Sequence, residues 1–314
     1  MPSHVDAYSQ FKLLKDTLAS SIKGQDRKID YILACYFTQQ HLLLEDYPGT
    51  GKTTLAKTLA RLINDSSFKR VQFTPDLLPS DLTGISIFNP SEQNFTFHEG
   101  PLFSDIVLAD EINRASPRTQ SALLEAMAER QITVEGISHS LPEQFFVIAT
   151  QNPADFRGTY PLPEAQMDRF ALQCSLGYLT TEEELALLSS KLTPHQHNEN
   201  CAPLNIHRED IRNAIDAVHL ADEVKNYLVA LISASRGHPE LSLPLSPRAT
   251  IALAKLAQAL SFFDQKEYVS IAAIKELAPL VLSHRITLKN AKANQHQEKV
   301  QFIKRLVESC ATPK

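Results

Sequence analysis

The pattern of apolar positions along the chain changes near Gly177. Before that glycine, short apolar runs alternate with stretches that have helical spacing, such as KTTLAKTLARLI (52–63). Strands separated by helices are typical of a parallel sheet covered on both faces. The pattern therefore predicts an α/β first part, with strands at 41–45 (HLLLE), 71–73 (VQF), 106–109 (IVLA), 145–149 (FFVIA) and 171–176 (ALQCSL).

Two segments of this first part alternate with the period of a strand instead of a helix. ISIF (85–88) and FTFH (95–98) flank the polar sequence NPSEQN, and residues 132–141 alternate around Gly136. Paired alternating runs joined by turn residues are typical of β-hairpins. We expect two hairpins that project from the sheet.

The second part reads as a series of helices. Of nine glycines, only Gly237 lies beyond Gly177. TTEEELALLSSKL opens with Thr180 and has Glu183 three residues later, which is the spacing of a capping box. The sequence predicts an α/β domain over 1–177 and an all-α domain over 178–314, with amphipathic helices at 208–219, 221–235, 246–263, 270–286 and 297–309.

Composition excludes several classes of protein. The net charge of −5 gives no bulk attraction to nucleic acid or to an anionic membrane. No apolar run approaches the roughly 20 residues that span a bilayer. The start, MPSHVDAY, does not resemble an export signal. The four cysteines form no CxxC pair, which disfavours a disulfide framework or zinc site. We expect a cytoplasmic protein without membrane insertion.

The sequence YPGTGKTT, from Tyr47 to Thr54, lies between a predicted strand and a predicted helix. Glycines let backbone N–H groups turn around phosphates at a helix N-terminus, so this pattern predicts a phosphate-binding loop. Lys52 would reach the β- and γ-phosphates, and the Thr53 hydroxyl would bind Mg²⁺. Asp46 stands where the strict pattern has glycine. We expect Asp46 to adopt a left-handed backbone, to tolerate replacement by glycine and to resist replacement by valine.

Polar residues follow two of the apolar strands. IVLADE ends in Asp110, which would hold Mg²⁺ through water, and in Glu111, the candidate to polarise an attacking water. FFVIATQNP ends in an amide, Asn152, which could orient that water. Taken alone, the pattern favours an ordinary Asn-Pro turn over a functional role for Asn152.

Two arginines complete the candidate residues. Arg248 follows Ser246, a predicted N-cap, and Pro247 at the first helical position. A cation at a helix start opposes the helix dipole, which favours an anion near Arg248. Arg169 lies just before the last predicted strand, where an ion pair with Asp168 or Glu164 is the alternative to a functional role.

These residues resemble a family, the MoxR group of the AAA+ ATPases, over about residues 10 to 305. The most specific stretches are DLLPSDLTG (76–84), the run at 100–136 that contains the DE pair, and ATQNPADFRGTYPLPEAQMDRF (149–170). The resemblance implies a P-loop AAA+ core, in which a five-stranded parallel sheet forms an αβα sandwich. It also implies a helical lid, nucleotide between core and lid, and assembly into a ring, usually a hexamer.

The resemblance also implies roles for single residues. Asp110 and Glu111 look like Walker B, Asn152 is similar to sensor 1, Arg169 to the arginine finger and Arg248 to sensor 2. The hairpins resemble the helix-2 insert and the pre-sensor 1 insert. ATP or ADP with Mg²⁺ would be the cofactors, held by the Walker A residues Pro48, Gly49, Thr50, Gly51, Lys52, Thr53 and Thr54 and by Gly24 and Gln25 in the adenine-contacting IKGQ segment.

Family resemblance favours an ATPase that remodels or activates a protein client, commonly one with a von Willebrand factor A domain or a metalloenzyme. A nucleic-acid motor, a small-molecule P-loop kinase and a magnesium-chelatase-like subunit are the alternatives. No Lys or Arg lies between Ile85 and Gly100, so the first hairpin lacks the cations that bind a phosphate backbone. We expect no stable nucleic-acid complex.

Overall fold

The structure, a computed structural model, describes residues 4–21, 25–46, 49–63, 66–91, 93–152, 159–178, 180–192, 203–290 and 295–312. In these ranges the strands are β1 (His41–Glu45), β2 (Phe68–Gln72), β3 (Gly84–Asn89), β4 (Asn94–Glu99), β5 (Ile106–Asp110), β6 (Gln131–Val134), β7 (Ile137–Ser140), β8 (Phe146–Gln151), β9 (Phe170–Cys174), β10 (Leu241–Leu243) and β11 (Thr287–Leu288).

The helices cover the sheet and form most of the second half of the chain. They are α1 (His4–Ser21), α2 (Asp26–Phe37), α3 (Lys52–Leu62), α4 (Pro79–Thr83), α5 (Pro117–Glu129), α6 (Glu164–Met167), α7 (Thr181–Leu192), α8 (Arg208–Asp216), α9 (Asp222–Ser235), α10 (Pro247–Phe263), α11 (Ile271–Leu282) and α12 (Gln295–Ser309). Among the helices of the described ranges, none has the length and apolar character to cross a membrane.

Five parallel strands form the central sheet in the order β2-β5-β8-β1-β9, which confirms the predicted α/β fold. Successive side chains of a strand point to opposite faces. Leu42 and Leu44 of β1 accordingly join one apolar cluster, while Leu43 joins another. The first cluster extends through the helices of the second half, and the second lies under α5. Both faces of the sheet are therefore covered.

Both predicted hairpins are present. β3 pairs with β4 and β6 pairs with β7, each antiparallel and outside the central sheet. The hairpins meet where the Phe97 ring stacks on His139 with centroids 4.0 Å apart. Further along the first hairpin, Phe88 and Phe95 pack on each other at 5.3 Å and are 49% and 67% exposed.

The second half is helical as predicted, with one small sheet that the sequence did not predict. β10 and β11 form a small antiparallel sheet between the loop after α9 and the segment after α11. Leu241 is buried in it, and the Lys289 N–H donates to the Glu240 carbonyl. Strands of two or three residues are too short to leave a period-2 pattern in the sequence. The division of the chain near Gly177 stays a prediction.

Charged and aromatic contacts join the core helices to the second half. Arg27 of α2 donates to Glu276 of α11 at 2.7 Å and to Asp264 at the end of α10 at 3.0 Å. Phe11 of α1 stacks on Phe263 of α10 with centroids 3.9 Å apart. These contacts fix α10 and α11 against the core.

A buried histidine at the start of β1 makes the stability of the core sensitive to acid. The His41 Nδ1 accepts the Val147 N–H at 3.1 Å, so the proton lies on Nε2, which faces the Met127 carbonyl at 3.3 Å. Burial lowers the pKa of His41 to about 4. Since the unfolded chain binds the proton near pH 6.5, this contribution to stability is complete above that pH and is lost as the pH falls towards 4.

We expect His41→Gln to flatten the pH dependence of stability below pH 6.5. One group with a lowered pKa contributes at most about 1.4 kcal/mol per pH unit to the slope of unfolding free energy. Urea unfolding at pH 7, 6 and 5 measures that slope, with His219→Gln as an exposed control. Equal slopes for wild type and His41→Gln would contradict the assignment of His41 as a neutral buried ring.

Candidate nucleotide site

Three strands of the sheet end at the same edge, and the candidate residues follow them. Leu44 of β1 pairs with Thr150 of β8, and Ala109 of β5 pairs with Ala149 of β8. Asp110 and Asn152 therefore lie at the carboxyl edge together with the loop that follows β1. Parallel α/β sheets bind ligands at this edge. The structure brings the phosphate loop, the DE pair and Asn152 together as the sequence predicts.

The loop before α3 has the backbone that phosphate binding requires. Gly49 and Gly51 have φ of +88° and +87°, a conformation that favours glycine. A Cβ built on either glycine would meet no atom within 4 Å, so open space lies over the loop. α3 begins at Lys52 and carries Thr53 in its first turn, and the N-terminus of a helix favours bound phosphate.

The DE pair is aligned by a threonine of the neighbouring strand. The Thr150 hydroxyl donates to Asp110 Oδ1 at 2.6 Å and accepts the Glu111 N–H at 2.9 Å. The second oxygen of Asp110 accepts from Arg70 Nη2 of β2 at 2.7 Å. Nothing in the sequence distinguishes Thr150 from any other threonine in a strand, and Arg70 lies 40 residues from Asp110.

Glu111 has a strained backbone and a carboxylate that is already hydrogen-bonded. Its φ of +56° lies in the left-handed region, which is rare for a residue other than glycine and is concentrated at functional sites. Its Oε2 accepts from Gln72 Nε2 and from Arg114 Nη1, each at 2.9 Å. Both donors hold Oε2, so they orient the carboxylate and leave Oε1 as the oxygen that could polarise a water.

These residues fit a nucleotide with Mg²⁺. The open space over Gly49 and Gly51 accepts phosphate, and the Thr53 hydroxyl and the Asp110 carboxylate are oxygen ligands of the kind Mg²⁺ prefers. Gln25 is 5% exposed, and its Oε1 has no hydrogen-bond partner. That orphan acceptor fits the predicted adenine contact. Gly24 and Pro48 lie outside the described residues.

Arg169 and Arg248 lie at the opposite edge of the sheet. Arg169 directly precedes β9, and the cleft it lines also contains His41, the first residue of β1. Arg248, in the first turn of α10, lines the same cleft of about 260 Å³, together with Arg130, Lys255 and Arg285. Strands of five residues separate the two edges by roughly 16 Å. The structure does not bring Arg248 to the phosphate loop of its own chain.

Asp168 links the two arginine-bearing segments. Its carboxylate accepts from Arg285 Nη1 at 2.6 Å and from the Ser246 hydroxyl at 2.9 Å. Asp168 therefore pairs with buried Arg285 and not with Arg169, whose Nη1 donates to the Leu124 carbonyl. Ser246 occupies the N-cap position of α10 as predicted, but its side chain makes no cap hydrogen bond. Burial lowers the pKa of Arg285, and Asp168 opposes that shift.

Comparison with known proteins identifies the chain. Residues 41–172 match the ATPase family associated with various cellular activities (AAA), and residues 233–305 match the AAA lid domain. The chain is 35% identical to "Chaperone MoxR1" of Mycobacterium tuberculosis, over 93% of this chain and 79% of that protein. It belongs to the MoxR family of AAA+ ATPases. "Uncharacterized protein YeaC" of Bacillus subtilis is 48% identical over 82% of this chain and 80% of that protein.

A solved structure shares the whole fold of this MoxR family member. The crystal structure of a candidate ATPase from Cytophaga hutchinsonii superposes with a TM-score of 0.88 at 36% identity, and covers 99% of this chain and 97% of that one. The predicted family and the AAA+ fold with a mostly helical lid are confirmed. The roles of individual site residues stay predictions.

The left-handed backbone expected at Asp46 is wrong for this MoxR family member. Asp46 is not among the non-glycine residues with positive φ in the described ranges. Its side chain is instead 2% exposed and accepts hydrogen bonds from residues 175–177 after β9. The sequence motif showed only that glycine was missing at this position, because the partners of the carboxylate lie about 130 residues away.

Proposed function

We propose that this protein hydrolyses ATP with Mg²⁺ at the carboxyl edge of its sheet and uses the cycle to remodel a protein client. The proposal includes a ring, most simply a hexamer, in which each site is completed by a neighbour. One observation supports the proposal most. The phosphate-binding residues and the arginines resemble parts of a single AAA+ site, but they lie at opposite edges of one sheet. A second subunit could bring the two sets together.

The residues of the carboxyl edge have separate roles in the proposed hydrolysis. The loop glycines and Lys52 bind the phosphates, Thr53 and Asp110 hold the metal, and Glu111 takes a proton from the attacking water. Bound Mg²⁺ would supply neutralising charge to the phosphate oxygens. Gln72 and Arg114 hold Oε2 of Glu111, so the base is oriented with Oε1 as the oxygen that would accept the proton.

We expect Glu111→Gln to bind ATP with near wild-type affinity and to lose turnover by about 10²–10⁴-fold. The amide keeps the size of the side chain but cannot accept a proton, while Lys52 and Asp110 remain in place. Phosphate release measures turnover, and equilibrium binding of a fluorescent ATP analogue measures affinity. Glu129→Gln, at an exposed position of α5, is the matched control. Wild-type turnover in Glu111→Gln would refute the assignment of the base.

Variants of Arg169 and Arg248 test the proposed ring. Both arginines lie at the amino edge, where the strands of the sheet begin. If Arg169 and Arg248 reach a neighbour's phosphates, Arg169→Ala and Arg248→Ala should bind ATP and lose hydrolysis, for Arg169 by about 10³–10⁵-fold. Mixing either variant with Glu111→Gln should restore part of the activity, since some interfaces then join an intact base to an intact arginine. Arg236→Ala, exposed on the second half, is the control. No recovery on mixing would show that the arginines act within one chain or not at all.

The client is proposed to bind the first hairpin. Ile85, Ile87, Phe88 and Phe95 are each about half or more exposed, although they are large and apolar. Exposed apolar clusters mark contact sites for proteins. The base of the hairpin is tied to the second hairpin through Phe97 and His139, so the free surface lies near the tip. A protein with a von Willebrand factor A domain or a metalloenzyme is the proposed client.

We expect Phe88→Ala combined with Phe95→Ala to keep basal hydrolysis and to abolish stimulation by the client. The two rings contact each other and not the nucleotide site, so their removal should spare the site. A partner captured with Glu111→Gln is purified and added back in the phosphate-release assay. Tyr268→Ala, an exposed aromatic of the second half, is the control. Full stimulation of the double variant would move the client site elsewhere.

The nucleic-acid motor remains the alternative of a different class, and the same assay tests it. Single- and double-stranded DNA should neither bind nor stimulate at physiological salt, because the hairpin carries no Lys or Arg and the chain has a charge of −5. A salt-sensitive DNA complex of micromolar affinity would replace the protein-client proposal.

A further inference from the structure

The carboxylate of Asp46 lies between two parts of the protein that the proposed cycle must coordinate. Asp46 directly follows β1 and precedes the glycines of the phosphate loop. Its side chain points away from that loop, towards residues 175–177. These residues follow β9 and lead to α7 and the second half, and we call them the exit segment. This contact joins the start of the phosphate loop to the exit from the core.

Each oxygen of the carboxylate is used. Oδ1 accepts the Ser175 hydroxyl at 2.6 Å and the Gly177 N–H at 2.9 Å, and Oδ2 accepts the Leu176 N–H at 2.7 Å. A buried carboxylate is costly unless it is hydrogen-bonded, and bonds to an ionised acceptor are the strong ones. These three donors make Asp46 a well-satisfied buried anion that holds a backbone segment in one conformation.

The main chain of Asp46 faces the catalytic side. Its carbonyl accepts from Lys52 Nζ at 3.1 Å, and its N–H donates to the Gln151 carbonyl at 3.2 Å. One residue thus contacts the phosphate-binding lysine, the strand that leads to Asn152 and the exit segment. The Lys52 ammonium has three N–H donors, so it can keep this bond and still donate to the phosphates.

The exit segment contains a left-handed glycine and is held by a second side chain besides Asp46. Gly177 has φ of +71°, a left-handed conformation at the point where the chain leaves the core. Lys28 of α2 donates to the Leu176 carbonyl. The segment is therefore clamped between Asp46 and Lys28, and loss of the Asp46 bonds would release the two N–H groups while the carbonyl stays held.

We propose that Asp46 is a positioning residue that couples the phosphate loop to the orientation of the second half through residues 175–177. The inference rests on the proposed function, because the coupling has a role only in a cycle of ATP hydrolysis. The hydrogen bonds between Asp46 and residues 175–177 exist without nucleotide. The proposed coupling therefore requires a carboxylate at position 46, where the general phosphate-loop pattern has only a glycine.

Hydrogen–deuterium exchange of nucleotide-free protein tests the hold directly. Asp46→Asn replaces one acceptor oxygen by a donor, and Asp46→Gly removes all three side-chain bonds while keeping the residue that the general pattern carries. We expect the Leu176 and Gly177 amides to exchange at least about tenfold faster in both variants. Asp16→Asn, exposed on α1, should leave them unchanged. Wild-type exchange in both variants, or loss of folding in both, would overturn the proposal.

A second readout separates coupling from a purely structural role. In wild type, ATP should change exchange at residues 176 and 177. In Asp46→Asn and Asp46→Gly that response should disappear and kcat should fall at least about fivefold, with KM for ATP within about threefold of wild type. An unchanged nucleotide response, or a KM effect alone, would overturn the coupling. Absence of ATP binding and hydrolysis in wild type would refute the proposed function while leaving the nucleotide-free exchange result intact.

Discussion

The polarity of a parallel sheet is the constraint on which this structure depends. Because all five strands run the same way, their carboxyl ends share one edge and their amino ends share the other. The phosphate loop, Asp110 and Asn152 follow strands, whereas Arg169 precedes one. No rearrangement of a loop moves a residue from one edge to the other, so the division of the candidate site follows from chain direction.

Hydrogen bonds between neighbouring strands and helices then set the geometry at each edge. At the carboxyl edge, Thr150 bonds the Asp110 carboxylate and the Glu111 N–H, and donors from β2 and the turn after β5 hold Oδ2 of Asp110 and Oε2 of Glu111. At the amino edge, Asp168 ties the segment of Arg169 to the start of α10 through Ser246. Charged groups that are fixed in advance require little reorganisation when they meet a ligand. Each edge thus holds its candidate site residues in place without a ligand.

Much of this arrangement could be predicted from the sequence, because local patterns determine it. An apolar run that ends in Asp110 identifies a buried strand and the edge at which it ends, and the loop glycines require a phosphate-loop backbone. Thr150, Arg70 and Arg285 could not be found this way, since their partners are distant in sequence and their residue types are common. Asp46 shows the limit most clearly: the motif identified its position, but only the fold shows what its carboxylate binds.

The central claim is that one nucleotide site is assembled from the two edges of adjacent subunits. The structure of the Glu111→Gln protein assembled with ATP and Mg²⁺ tests this claim most directly. We expect a closed ring in which Arg169 and Arg248 of one subunit lie within about 3 Å of phosphate oxygens held by Lys52 of the next. A monomer that binds ATP with its own Arg248 on the phosphates, or a ring whose interfaces lack both arginines, would contradict it.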